Sequence, residues 1–280
     1  ACACNPAGGR RISPFAARQP KMLIISTKNE IVKSVRRLRD RSARRESGQH
    51  LIEGERLVFD ALEAGIVPET LFIEQGRTDF EARVSALGAE FFSVSRAVLE
   101  TVCDTSAPQG IAAAVRTPDL TAPESAEDFP HGLIAALDAL QDPGNLGTII
   151  RTADAMGAAA VLLGTGSTDA FSPKALRAAM GSTYHLRIFQ CELSETLPKL
   201  RESGFSLVCG HLAGEERLPT LNRDCVIVIG NEANGVSDGI ARLCSLCRLP
   251  MLGRAESLNA SAAASILIFE TAKKINGIEF

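Results

Sequence analysis

The sequence predicts an α/β protein in two parts, a small α/β domain followed by a larger one built on a parallel sheet. Three observations predict this. Short apolar runs alternate with helix-length segments along most of the chain, the pattern of alternating strands and helices. In the second half the runs Leu133–Leu137, Ala159–Leu163, Phe205–Cys209 and Cys225–Ile229 are apolar on both faces. Such strands need cover on both sides, which is the mark of a parallel sheet. Between the halves, Thr117 to Pro130 is rich in proline and acid and lacks periodicity, which makes it the best boundary in the chain.

The elements follow in order. Ala1 to Gln19 mixes Arg, Pro and Gly and has no apolar core of a secretory signal, so residues 1–21 read as a flexible extension. Asn29 to Arg45 reads as one helix, with Val32, Val35 and Leu38 at a three-residue spacing and basic residues on the other faces. Leu51–Ile52 is strand-like, and Gly54–Ala64 reads as a helix closed by Gly65. Thr70–Ile73 and Glu90–Val94 read as strands around a helix at Phe80–Leu87, and the segments Val98–Cys103 and Gly110–Val115 complete the small unit. In the second part a strand at Leu246–Leu249 precedes a last long helix, Leu258 to Ile275. The expected division is therefore 1–21 extension, 22–116 small domain, 117–130 linker and 131–280 large domain.

Composition excludes several classes. No apolar run reaches the roughly 18 residues of a membrane span. Cys209 and Cys225 lie inside apolar strands, where cysteine behaves as a small hydrophobe, and Cys244-x-x-Cys247 lacks the second pair or the histidines of a zinc site. No metal is expected, and a reducing cytoplasm is the expected compartment. The formal charge of −3 conceals an asymmetry: residues 1–50 carry 12 Lys/Arg against 3 Asp/Glu, a net of +9. A basic arm on an acidic body fits a polyanion partner, and it also fits a plain solvated helix face.

The turn Asp138-Ala-Leu-Gln-Asp-Pro-Gly-Asn-Leu-Gly147 lacks the three-glycine dinucleotide fingerprint, and Gly164-Thr-Gly-Ser-Thr has no lysine for phosphates. Neither a nucleophile elbow nor a His-Glu-x-x-His motif occurs. What remains is polar residues gathered after three strands. Asn145 and Arg151 flank the first turn, Gly230-Asn-Glu232-Ala-Asn-Gly235 follows another strand, and Ser257 and Asn259 precede the last helix. Loops at strand carboxyl ends are where α/β sheets place ligands. Ser257 and Asn259 read equally as helix N-caps, and Glu232 as an acid favoured by a helix dipole.

These segments resemble the motifs of the SpoU (TrmH-like) family of RNA methyltransferases, in the SPOUT superfamily. Asn145-Leu-Gly-Thr-Ile-Ile-Arg151-Thr-Ala is similar to the first motif, and Gly230-Asn-Glu232-Ala-Asn-Gly235 to the second. Leu249-Pro-Met-Leu-Gly-Arg-Ala-Glu-Ser257-Leu-Asn259-Ala-Ser-Ala-Ala is similar to the third, with Ala260 where a β-branched residue is common. Ser172-Pro-Lys-Ala-Leu-Arg-Ala-Ala-Met-Gly-Ser182 resembles the intermediate segment. Leu51 to Gly65 and Thr105-Ser-Ala-Pro-Gln-Gly-Ile111 resemble the family's L30e/L7Ae-like substrate-binding domain.

The resemblance implies a parallel-sheet SPOUT domain with a C-terminal deep trefoil knot, preceded by a small α/β L30e-like domain. It implies a homodimer in which two subunits build each active site. The expected activity is transfer of a methyl group from S-adenosylmethionine to a ribose 2′-hydroxyl of structured RNA, 23S rRNA ahead of tRNA. A non-catalytic RNA-binding or ribosome-assembly protein of the same fold is the other reading. The expected catalytic set is Arg151, Asn145, Glu232, Ser257 and Asn259, with Gly210, Gly230, Leu249 and Leu258 around the cofactor. A guanidinium keeps its proton, so Arg151 is expected to act as a charge clamp on phosphate and developing alkoxide rather than as a base. Glu232 is expected to fix the Arg151 fork or neighbouring amides. With no Trp and a single tyrosine, Tyr184, extensive base stacking is not expected, and the small domain should grip a folded RNA.

Overall fold

The computed structural model describes residues 20–254 and 257–278. Apart from Pro20 and Lys21, the expected extension lies outside the described residues, as do Ala255 and Glu256 of the third motif. The first elements in chain order are β1 (Leu23–Ile24), α1 (Glu30–Arg37), α2 (Arg41–Ser47), β2 (Gln49–Glu53), α3 (Glu55–Glu63), β3 (Thr70–Glu74), α4 (Thr78–Ala86), β4 (Phe92–Val94), α5 (Arg96–Val102) and β5 (Ile111–Arg116). Next come β6 (Leu133–Leu137), α6 (Pro143–Ala155), β7 (Ala160–Gly164), α7 (Pro173–Ala179), β8 (Arg187–Cys191) and α8 (Leu193–Glu202). The last are β9 (Ser206–Glu215), β10 (Cys225–Ile229), α9 (Asp238–Ala241), β11 (Ser245–Cys247) and α10 (Ala260–Asn276).

The described residues form two compact units, residues 20–36 with 53–115, and residues 37–52 with 116–254 and 257–278. A five-stranded sheet has the order β1-β4-β3-β5-β2. Its β4 pairs in parallel with β1 and β3, while β3 and β5 are antiparallel. Leu71, Phe72 and Ile73 are buried in this sheet, and Val58 and Phe59 of α3 and Val98 and Leu99 of α5 are buried core residues of the same unit.

The second unit is built on a six-stranded sheet of order β11-β9-β10-β6-β7-β8, and every pairing in it is parallel. Ile134, Ala136, Leu207, Val226 and Val228 pack with Leu193, Leu197 and Leu200 of α8 and Ile240 of α9. The alternate positions Leu133, Ala135, Leu137 and Ile227 are equally buried. They face the side where α10 packs on β6, β9, β10 and α6. Cover on both faces explains why these strands are apolar throughout. The strand β8, absent from the sequence reading, is an edge strand in which Arg187 and Gln190 are exposed, so its apolar pattern is diluted.

One helix expectation is corrected. Asn29–Arg45 is two helices, because the chain turns at Leu38–Asp40 and Asp40 is extended (φ −89°, ψ 134°). The buried Arg44 side chain, 7% exposed, donates to the carbonyls of Leu38 (2.9 Å) and Arg39 (2.8 Å). These bonds replace the helical ones that a continuous helix would have made. The same guanidinium donates twice to Asp169, at 2.9 and 2.7 Å.

Close packing of α6 on α7 rests on Gly147. A Cβ there would lie 2.3 Å from the Ala175 carbonyl oxygen and 2.6 Å from the Ala178 Cβ. Gly147→Ala should therefore destabilise the protein by about 1–3 kcal/mol, read as a lowered melting temperature. His50, in the second unit, is fully buried between the Thr117 hydroxyl (3.0 Å) and the Tyr184 hydroxyl (2.8 Å). The hydroxyl of the half-buried Tyr184 is thus committed to His50. Burial, opposed by Asp169 and aided by Arg44, brings the His50 pKa from 6.5 down to about 3. A depressed pKa means that stability is complete above pH 6.5 and is lost as pH falls toward about 3. A pH series of melting temperatures should show this slope in the wild type and a flatter one in His50→Gln.

Candidate active site

Parallel strands all leave the sheet at one edge, so the loops after β6, β7, β9, β10 and β11 gather there. Their polar groups satisfy one another. Asn231 donates through Nδ2 to the Ala139 carbonyl (2.8 Å), and its own Oδ1 accepts from the amides of Ala233 (2.9 Å) and Asn234 (3.3 Å). Gln141 Nε2 donates to the Gly166 carbonyl at 2.7 Å, and the Ser237 amide donates to Asp138 at 2.8 Å. Asn231 and Gly235 exchange both backbone bonds at 2.9 Å. This closed turn leaves no room above Gly230, where a Cβ would lie 2.0 Å from the Gly235 carbonyl carbon.

At the start of α6, Asp142 is the N-cap and accepts from the Asn145 amide at 2.8 Å, with Pro143 in the first turn. Lys174 Nζ lies 2.6 Å from Asp142 Oδ2. That lysine, followed by the Asn145 amide, holds the Asp142 carboxyl below its usual range. Glu232 reaches across from the β10 loop and accepts from three donors: the amides of Gln141 (3.0 Å) and Asp142 (2.9 Å) and Asn145 Nδ2 (3.0 Å). Partial burial pushes the Glu232 carboxyl up, but the bonds from Asn145, Asp142 and Gln141 outweigh it and the net direction is down. Of the two expectations for Glu232, the structure places it on neighbouring amides.

Arg151 stands exposed on α6, and its guanidinium has no hydrogen-bond or ion-pair partner among the described residues. Its neighbour Thr152 meets Ser265 of α10, hydroxyl to hydroxyl, at 3.0 Å. Asn259 caps that helix and accepts from the amides of Ser261 (2.9 Å) and Ala262 (3.4 Å). Ser257 and Leu258 precede it and are exposed. The structure thus joins Asn145 to Glu232 directly, and it links α6 to α10 one residue beyond Arg151. No hydrogen bond joins Arg151, Ser257 or Asn259 to the Asn145–Glu232 pair.

Three of the four positions expected around a cofactor lie in or just after adjacent strands. Gly210 follows Cys209, whose register partner on β10 is Val228, so it sits beside Ile229 and next to Gly230. Leu249 leaves β11, on the other side of β9. The β9–β11 register shifts between Leu246 and Cys247, so residues 210–214 bulge out of the ladder at this edge. Leu212, Met251, Leu252 and Leu258 in these loops are exposed large apolar side chains. Main-chain groups beside exposed apolar side chains suit an adenosine with a methionine tail. Among the described residues no cluster of His, Cys, Asp and Glu could hold a metal. Sequence reasoning gave no role to Gln141, Asp142, Lys174 or Asn231; Asp142 before Pro143 was the one readable sign, as a helix start.

Comparison with known proteins places these observations. The profile described as the SpoU rRNA Methylase family matches residues 132–269, and the MRM3-like substrate binding domain matches residues 29–113. The chain is 35% identical over 251 residues to the 23S rRNA (guanosine(2553)-2′-O)-methyltransferase RlmP of Bacillus subtilis (strain 168), covering 88% of this chain and 97% of that one. The crystal structure of an AdoMet-bound rRNA methyltransferase from Sinorhizobium meliloti superposes with a TM-score of 0.79 at 33% identity, over 90% of this chain and 97% of that one. The SpoU methyltransferase AviRb from Streptomyces viridochromogenes in complex with AdoMet gives 0.77 at 26% identity, over 88% and 98%.

Glu232→Ala should release the Gln141 and Asp142 amides while leaving the helix caps in place. Their hydrogen exchange should speed by about tenfold, the loss of one charge-assisted bond. Unchanged exchange at both amides would show that the carboxylate does not hold the loop.

Proposed function

The chain belongs to the SpoU rRNA Methylase family, and from that membership we propose that it methylates a ribose 2′-hydroxyl of 23S rRNA, with S-adenosylmethionine as methyl donor. The observation that carries the reading is the loop edge itself. Glu232 locks the start of α6 through Asn145 and two amides, and the same helix presents an unpartnered Arg151 beside α10.

S-adenosylmethionine supplies an electrophilic methyl group when bound. Gly210, Gly230, Leu249 and Leu258 would hold it through main-chain groups and apolar contact, which fits the exposed Leu212 and Leu252 at this edge. A guanidinium is a poor proton acceptor, so Arg151 is not assigned the 2′-hydroxyl proton. It would bind the adjacent phosphate and stabilise negative charge growing on the ribose oxygen, while the proton passes to phosphate or water. Asn145, held by Glu232, would orient the substrate or Arg151. Ser257 and the Nδ2 of Asn259, which has no partner among the described residues, would line the ribose end, since the Asn259 oxygen is committed to capping.

The rest of the proposal follows from the same surface. Leu252, Leu258 and Ile266 are exposed apolar side chains near this edge, and a second copy of the chain would bury them and complete the site. Residues 22–116 act as the substrate-binding domain, 117–130 as linker and 131–280 as the catalytic domain, a division supported by the two profile matches. The C-terminal trefoil knot of SPOUT methyltransferases is expected here with the fold, and the cytoplasm is the compartment proposed with the rRNA substrate.

The test uses purified protein, labelled S-adenosylmethionine and 23S rRNA, with the modified ribose mapped. Arg151→Ala should lower transfer by about 10²–10³-fold or more, while calorimetric affinity for S-adenosylmethionine stays unchanged. Wild-type turnover in Arg151→Ala removes the clamp, and an unmethylated rRNA in the wild-type reaction removes the substrate.

A further inference from the structure

The basic helix α2 lies within the stretch proposed as the substrate-binding domain, yet by its contacts it groups with the second unit. Residues 37–52 group with residues 116–254 and 257–278, and there α2 forms one wall of a cavity of about 420 Å³. Every residue lining that cavity belongs to the second unit. Its size falls within the usual range for small-ligand sites.

The three arginines of α2 have different fates. Arg44 is buried and saturated, donating to Asp169 and to the carbonyls of Leu38 and Arg39. Arg41 and Arg45, one helical turn apart, line the cavity, are exposed, and have no hydrogen-bond or ion-pair partner among the described residues. The opposite walls combine apolar surface from Leu120 and Phe171 with Thr168 and Gln190. The Gln190 side chain, on the exposed edge strand β8, likewise has no partner among the described residues. Asp169, the acid in the wall, is already neutralised by Arg44.

We infer that this cavity is a second RNA subsite, which takes one unstacked nucleotide of the substrate outside the methyl-transfer site. Its phosphate would lie on Arg41 and Arg45, its base against Leu120, and its polar edge toward Thr168 and Gln190. Two guanidiniums one helical turn apart, without partners among the described residues, can both donate to one phosphodiester, and a half-apolar cavity beside them is more than a phosphate alone requires. An exposed cation pair without the cavity would argue only for general attraction. The inference rests on the methyltransferase reading for the identity of the polyanion.

The experiment measures binding of 23S rRNA across a salt series, together with methylation and S-adenosylmethionine affinity, on the full chain. Arg41→Ala/Arg45→Ala should weaken RNA binding by at least about tenfold and lower the slope of log affinity against log salt by about 0.7, since one phosphate of an unpaired nucleotide is no longer neutralised. Its melting temperature and cofactor affinity should match the wild type. Arg223→Ala/Arg242→Ala makes the same change in net charge on exposed arginines outside the cavity, and it should leave RNA affinity nearly unchanged. Leu120→Trp fills the cavity without changing charge and should also weaken RNA binding. Wild-type affinity in the Arg41/Arg45 variant, or an equal loss in the Arg223/Arg242 control, overturns the subsite. Wild-type affinity in a folded Leu120→Trp overturns placement of the base in the cavity. A wild-type protein that binds rRNA but does not methylate it overturns the functional reading alone, and one that binds no rRNA overturns both.

Discussion

Parallel pairing of six strands is the constraint from which the rest of the second unit follows. Each strand enters at one edge and leaves at the other, so the polar backbone beyond the strand ends collects on a single rim without ladder partners. An unpaired buried amide or carbonyl costs as much as a lost hydrogen bond, so the loops must satisfy one another. They do so across the rim: Asn231 to Ala139, Gln141 to Gly166, Ser237 to Asp138, and Glu232 to two amides and Asn145. The mutual bonds make the rim rigid before any ligand arrives, which is what a site that must align a methyl donor with a hydroxyl requires.

Helix α6 carries that rigidity outward. Its first turn is fixed by the Asp142 cap and the Glu232 carboxylate, and its middle by contact with α7 at Gly147. What projects from it is Arg151, a permanent charge left in water. In high dielectric such a charge costs little and does little. Under the proposed function, substrate and a second copy would cover this charge, and it would then interact far more strongly with a developing anion.

How much of this was legible in the sequence depended on the range of the interaction involved. The strands β6 and β10 and the last helix were visible because their burial is written in their own residues. The break between α1 and α2 was not, since the residue that holds it, Arg44, is anchored on Asp169, 125 positions away. The sequence offered Asn259 as cap or site residue, and the structure shows the cap occupying its oxygen. Glu232 was open in the same way until its three donors could be seen. Gly230 was readable as a glycine within a motif, but its reason, a turn folded back over it, is a tertiary fact. The SpoU resemblance supplied what local reasoning could not: the identity of the cofactor.

Charge counting shows the same limit and its remedy. The first fifty residues carry a net of +9, which pointed toward a polyanion but could not say which cations serve it. The structure separates them by their partners. Arg44 sits at 7% exposure against Asp169 at 21%, and removing one member of such a buried pair strands the other at about 3–5 kcal/mol. Arg41 and Arg45 are on the same helix, exposed and unpartnered, where substitutions usually change stability by about 0.5 kcal/mol or less. A single basic turn therefore divides its work, one guanidinium setting the path of the chain and two left over for a ligand. On the proposed subsite, that division would set this helix apart from a plain solvated face, because its two arginines without partners among the described residues line a cavity.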